Sequence, residues 1–357
     1  SNACGVVGRE NQVRTLLSEM LKPYADEIQI DRMENIIAIR KGKPKAPKIM
    51  LAAHMDEVGL MVKTINKDGF LQFSKMGGRD DRLPPAQTVG IHPKETSCPG
   101  KIGSKPPNVQ KEEERKKIIN LDDLFIDVGA ENKEDAINRG IAIGDPVAFD
   151  VQYTKLGIDA VMGKAFDNRA GCAAMVETMK LLDKTECTVC AVGTVQEEVG
   201  LRGAATAAFG VDPDLALALD VTISGDVPGV REYDTSVKMG KGPALTISDS
   251  GLITHPKILR WLQDTAEEEN GQARGRLEGP HPAEPRQPGR AERRLPLLHR
   301  RTHGAHHAGQ GSGRHHRHHP AGHHHRLHHA GRLLPAADHH PDHPHGPGGL
   351  RVRHGRR

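Results

Sequence analysis

Aromatic side chains are scarce, with six Phe, three Tyr and one Trp in 357 residues. Little is left from which to build the stacking platforms of a sugar-binding cleft. No run of 18 apolar residues occurs, so no transmembrane helix is expected. The opening residues follow no signal-peptide pattern. Five cysteines are present, an odd number in a large chain. Together these features imply reduced thiols and a cytoplasmic protein.

Other absences are local. Residues 271–357 contain no Lys, Ile, Phe, Tyr, Trp, Met, Cys or Asn, yet hold 19 of the 22 His and 16 Arg. Against five acids, that stretch carries a formal charge of +11, while residues 1–270 carry −7. The basic balance therefore belongs to the tail, and the mildly acidic body shows no nucleic-acid footprint. With almost no β-branched residue, the tail cannot bury enough apolar surface to offset ordering entropy, and disorder is expected. The abrupt change in composition reads as an out-of-frame, aberrant segment. A natural His-rich tract binding metal or polyanions is the competing reading.

The length suggests two domains, or one large domain with an insertion. Residues 5–22 have helical apolar spacing, with Pro23 as a stop. Lys48–His54 is a short apolar run typical of a buried strand, with His54 at its end. From 65 to 155, short β-like pieces alternate with Gly and Pro turns, which reads as a β-rich insertion. From Lys164 onward a helix at 168–182, a strand at 188–195, a helix at 203–209, a buried strand at 215–219 and an amphipathic helix at 256–269 follow one another. Such alternation implies an α/β fold with a mainly parallel sheet flanked by helices, and ligands at the carboxyl ends of its strands. The catalytic domain is thus discontinuous, 1–64 and 156–270, around the 65–155 insertion.

Four segments place metal-ligand residue types near strand ends: His54-Met55-Asp56, Asp167 at the start of a helix, Glu197-Glu198 after an apolar strand, and Asp220 closing another. Singly, each has an ordinary explanation, such as a buried His–Asp hydrogen bond, a helix N-cap or a solvated turn. Jointly, one His and several carboxylates suit divalent zinc, cobalt or manganese. A two-metal site needs a bridging carboxylate and a base, and adjacent Glu residues can divide the roles of ligand and base. Cys187 and Cys190 lack the partners of a zinc ribbon and read as core residues, while His92 and His255 read as structural or surface residues.

In order and spacing the chain resembles the M42 metallo-aminopeptidases, the glutamyl and tetrahedral aminopeptidase group, from about Gly5 to Asn270. The stretches that carry the resemblance are Ala52-Ala53-His54-Met55-Asp56-Glu57-Val58-Gly59, Asp127-Val128-Gly129-Ala130, Lys164-Ala165-Phe166-Asp167-Asn168-Arg169, Gln196-Glu197-Glu198-Val199-Gly200, Ala218-Leu219-Asp220-Val221 and Gly240-Lys241-Gly242-Pro243. The resemblance implies a zinc-exopeptidase-like fold with a small β-barrel-like dimerisation insertion, and hydrolysis of N-terminal residues from peptides by a water activated by two divalent ions, zinc or cobalt. It implies that His54 and Asp220 bind one metal, Asp167 bridges, Glu198 binds the second, Glu197 is the general base and Asp56 orients His54. It also implies homo-oligomers, from dimers to twelve-subunit shells. The family's later Gly-Thr-Asp stretch and late His do not appear in register, which implies a lost ligand and impaired activity. A cellulase-type hydrolase is the rival, although adjacent strand residues poorly flank a glycosidic bond at the about 5–9.5 Å separation its carboxyls need.

Overall fold

Helix α1 (Asn11–Leu21) buries Val13, Leu17 and Leu21, four residues apart on one face. Pro23 follows and cannot continue the hydrogen-bond ladder. Strands β1 (Glu27–Ile30), β2 (Ile36–Arg40) and β3 (Lys48–His54) come next. Then come β4 (Gly59–Ile65), β5 (Leu71–Met76), β6 (Thr88–Ile91), β7 (Cys98–Gly103), the short α2 (Glu112–Arg115), β8 (Phe125–Asp127), α3 (Lys133–Asn138) and β9 (Pro146–Phe149). The hairpin of β10 (Thr154–Leu156) and β11 (Ala160–Met162) leads to α4 (Phe166–Leu181), β12 (Thr188–Thr194), α5 (Arg202–Val211) and β13 (Leu215–Ala218). Last come β14 (Ala244–Thr246), α6 (Pro256–Asn270) and β15 (Arg276–Glu278). This computed structural model describes residues 1–93, 97–158, 160–231, 234–249, 251–270 and 276–278.

The central sheet has the order β1-β2-β12-β3-β13. β12 and β13 both run parallel to β3, whereas β1 pairs antiparallel with β2 and β2 with β12. The expectation of a mainly parallel sheet is therefore corrected to a mixed one. Only five residues join β1 to β2, and a connection that short permits a hairpin but not a parallel crossover. The layers follow from side-chain alternation. Val189 and Ala191 of β12 join Leu51 and Ala53 of β3 in a core under α1 and α4. Cys190 and Val192 of β12 join Ile37 and Met50 in a second core under α5, with Ala207 and Val211. β12 is covered on both faces, which explains its unbroken apolar run.

β13 departs from expectation. Its residues alternate between half-buried and exposed, because among the described residues it lies at the sheet edge with β3 as neighbour. The tail also departs at one place, since β15 pairs in parallel with β14. Ladder bonds use backbone groups that any non-proline residue carries, so an apolar-poor composition does not forbid them. The remaining expectations for 271–357, including the frame error and the lost ligand, lie outside the described residues.

The inserted strands close a barrel in the order β4-β5-β8-β7-β6-β9. Neighbouring strands in it pair antiparallel, and its core holds Leu60, Leu71, Phe73, Ile91, Ile102 and Ile126. The barrel starts at Gly59, ahead of the 65 boundary, since β4 alternates its side chains with the others. β7 was hidden from pattern reading by Pro99, Gly100 and Gly103, which normally punctuate strands. All five cysteines are free, and Cys190 is buried in the core. No helix among the described residues is long and apolar enough to cross a membrane.

Candidate metal centre

Three parallel strands end at one rim of the sheet. Thr194, the last residue of β12, lies opposite His54, the last of β3. Asp56 follows β3 by two residues, Glu197 and Glu198 follow β12, and Asp220 follows β13. Asp167 comes from the start of α4, whose first residues Asp167 and Asn168 leave helical geometry. These are the carboxyl ends at which α/β sheets collect ligands.

The side chains converge. His54 Nε2 lies 2.8 Å from Asp167 Oδ1 and 3.9 Å from both Glu197 Oε2 and Asp220 Oδ1. One ligand-type atom from each of His54, Asp167 and Asp220 fits within 4.8 Å, and so does one from each of His54, Glu197 and Glu198. All five residues singled out in the sequence as ligands or base therefore share one site. His54 is 3% exposed, whereas the Asp220 side chain is 49% exposed, so the site is buried on one side and open on the other.

Asp56 is fully buried and does more than face the imidazole. His54 Nδ1 lies 3.1 Å from the Asp56 carbonyl and 3.5 Å from its Oδ1. The carboxylate accepts the backbone N–H groups of Glu197 and Glu198, each at 3.0 Å. One residue thus ties the imidazole, through its carbonyl, and the acidic turn, through its carboxylate, relative to each other.

The electrostatics are unfavourable without a cation. Burial first, then the charges of Asp167, Glu197 and Asp56, push Glu198 up to about 8 against the opposing pull of His54. Burial likewise raises Glu197, with Asp220, Asp56 and Asp167 adding to it. Burial pulls His54 down, but the hydrogen bonds and charges of Asp167 and Asp56 outweigh it and hold the imidazole well above its ordinary value. Crowded, buried carboxylates beside an imidazole are the donor set of a divalent-ion site. The residues present fit such ions.

Several residues around the site escaped sequence reading. The N-cap position of α4 falls on Ala165 rather than Asp167, and Asn168, next to Asp167, makes local bonds of its own. Its Oδ1 accepts the Gly171 N–H at 2.9 Å and its Nδ2 donates to the Leu219 carbonyl at 2.7 Å. A Cβ on Gly171 would sit 2.3 Å from that Oδ1 and 2.6 Å from the Leu219 carbonyl, so only glycine allows the approach. Beneath the site, Glu57 accepts from Lys164 Nζ at 2.6 and 2.9 Å and pairs with Arg169 at 3.3 Å. Their presence in the quoted stretches was the only signal, since a buried ion network has no sequence periodicity.

A family model described as M42 glutamyl aminopeptidase matches residues 34–276. The lysyl aminopeptidase of Pyrococcus furiosus is 36% identical over 264 residues, covering 73% of this chain and 74% of its own. The solved structure of aminopeptidase APDkam598 from the archaeon Desulfurococcus kamchatkensis is 41% identical, with a TM-score of 0.73 over 78% of this chain and 76% of that one. The Pyrococcus horikoshii TET1 peptidase, whose structure is described as able to assemble into a tetrahedron or a large octahedral shell, is 32% identical, with a TM-score of 0.68 over 78% of this chain and 81% of that one. The chain belongs to the M42 glutamyl aminopeptidase family and is a peptide hydrolase.

Proposed function

We propose that this chain removes N-terminal residues from peptides with the help of two divalent ions, zinc or cobalt, held at the rim of the central sheet. The observation that carries the reading is the convergence of His54, Asp167, Glu197, Glu198 and Asp220 on one half-open site. In this assignment His54 and Asp220 would hold one ion and Glu198 the other, with Asp167 as a ligand shared by both. Bound there, such ions supply Lewis-acid polarisation of the scissile carbonyl and lower the pKa of water.

The chain's own residues do the rest. Glu197 sits on the acidic turn with its backbone fixed by Asp56. Its side chain, largely buried and raised in pKa, is suited to take a proton from the attacking water. Oxygen adds to the carbonyl carbon, the C–N bond breaks, and Glu197 returns the proton to the leaving amine. The products are one free amino acid and a peptide shortened by one residue. His54 is kept in place by Asp56 and by the Cys172 thiol, which donates to its carbonyl at 3.3 Å.

Domain roles follow the same reading. The catalytic unit is residues 1–58 and 156–270, and the insert between them, built around the barrel that begins with β4 at Gly59, serves dimerisation. Assembly from dimer to dodecamer is in keeping with the description of the Pyrococcus horikoshii relative, and a cytoplasmic location with five free thiols. Replacing Glu197 by Gln tests the reaction. Turnover of aminoacyl substrates should fall by at least about 10²-fold with metal content unchanged; an active variant would remove Glu197 from the role of base.

A further inference from the structure

Four consecutive backbone N–H groups on the acidic turn are held by side chains from the first part of the chain. Val195 donates to Asn35 Oδ1 at 3.0 Å and Gln196 to Glu10 Oε1 at 3.2 Å. Glu197 and Glu198 donate to the two oxygens of Asp56. All three acceptors are buried, Asn35 and Asp56 at 0% exposure and Glu10 at 3%. The turn has left the sheet ladder, so side chains must satisfy the donors that β12's neighbours no longer reach.

Glu10 occupies the critical place in this row. Gln196 has φ of 54°, the left-handed region that a non-glycine residue adopts at a cost. It immediately precedes Glu197, so its conformation sets the direction in which the Glu197 side chain leaves the backbone. The same Glu10 oxygen accepts the Gly8 N–H at 2.7 Å, which anchors the carboxylate from its own side. Asn35 is anchored as well, donating to Asp31 Oδ2 at 2.7 Å and to the Gly203 carbonyl at 3.0 Å.

We propose that Glu10 is a positioning residue for the peptidase reaction, acting through the Gln196 amide to aim Glu197. The inference rests on the reading of Glu197 as the base. What Glu10 supplies is an acceptor at a given reach, so a neutral acceptor of the same length should serve and a shorter carboxylate should not.

The test compares Glu10→Asp, Glu10→Gln and Glu197→Gln as full-length, metal-loaded enzymes. We expect Glu10→Asp to lose about tenfold or more in kcat, with KM within about twofold and metal content unchanged. The acid limb of its pH–rate profile should move as well, which a purely structural role would not cause. Glu10→Gln should keep kcat within about threefold of the parent. Wild-type kcat in Glu10→Asp, or equal impairment in Glu10→Gln, overturns the inference. If Glu10→Asp does not fold, Glu10→Gln decides alone. Retained kcat with native hydrogen-exchange protection at Gln196 supports the acceptor role, and lost kcat refutes it. An active Glu197→Gln enzyme sinks the reading of the base whatever Glu10 does, whereas an inactive one beside a fully active Glu10→Asp sinks this inference alone.

Discussion

Asn168 Nδ2 donates to the carbonyl of Leu219 at 2.7 Å. The bond joins the start of α4, which carries Asp167, to the end of β13, which leads into Asp220. Two carboxylates 53 positions apart in sequence are thereby fixed by the residue beside each. A metal site needs its ligands held this closely by their supporting shell.

Asn168→Ala removes the tie and leaves the Leu219 carbonyl and the Gly171 N–H without that partner. Unsatisfied buried groups cost about 1–3 kcal/mol each, and loss of a supporting residue lowers metal affinity about 10–100-fold. Metal titration should therefore show weaker binding in a chain that still folds. Unchanged affinity would mean that Asp167 and Asp220 hold their positions unaided.

Proton linkage gives a second expectation. Glu198 rises from 4.5 to about 8 in the folded, metal-free site. As pH climbs between those values, the unfolded carboxyl ionises while the folded one keeps its proton, so the metal-free fold loses stability. His54, also raised, acts in the same direction, since its contribution is full below its ordinary pKa and fades as pH passes the folded value. Divalent ions replace these protons, so binding should release protons and tighten with pH. Calorimetry in buffers of differing ionisation enthalpy measures the release, and an affinity flat across this window would contradict the account.

The ion network below the site should matter for stability. Glu57→Ala leaves Lys164 and Arg169 their carbonyl acceptors but removes the carboxylate that pairs with them at 2.6 and 3.3 Å, and breaking a buried pair costs about 3–5 kcal/mol. Denaturant midpoints should drop sharply for that variant. Removing the exposed Lys43–Glu186 pair should leave them in place, because solvent screens it.

The sequence exposed the fold where periodicity is strong and the site where residue types are rare. β3 was read at its observed limits, Lys48–His54, because its apolar run is unbroken. His54, Asp167, Glu197, Glu198 and Asp220 stood out as ligand types at element ends, and they meet. What stayed hidden depends on contacts distant in sequence. Asp56 was expected to orient His54, yet its hold on the Glu197 and Glu198 amides cannot be inferred from a His-x-Asp spacing. Glu10 looks like any acid at the start of a helix until its partner 186 positions away is known.

Anomalous diffraction from crystals soaked in zinc or cobalt would locate the ions at the rim of the sheet. Two ion peaks are expected, one between His54 and Asp220 and one beside Glu198, with Asp167 between them and Glu197 bonded to neither. A single peak, or a peak held by Glu197, would contradict that assignment.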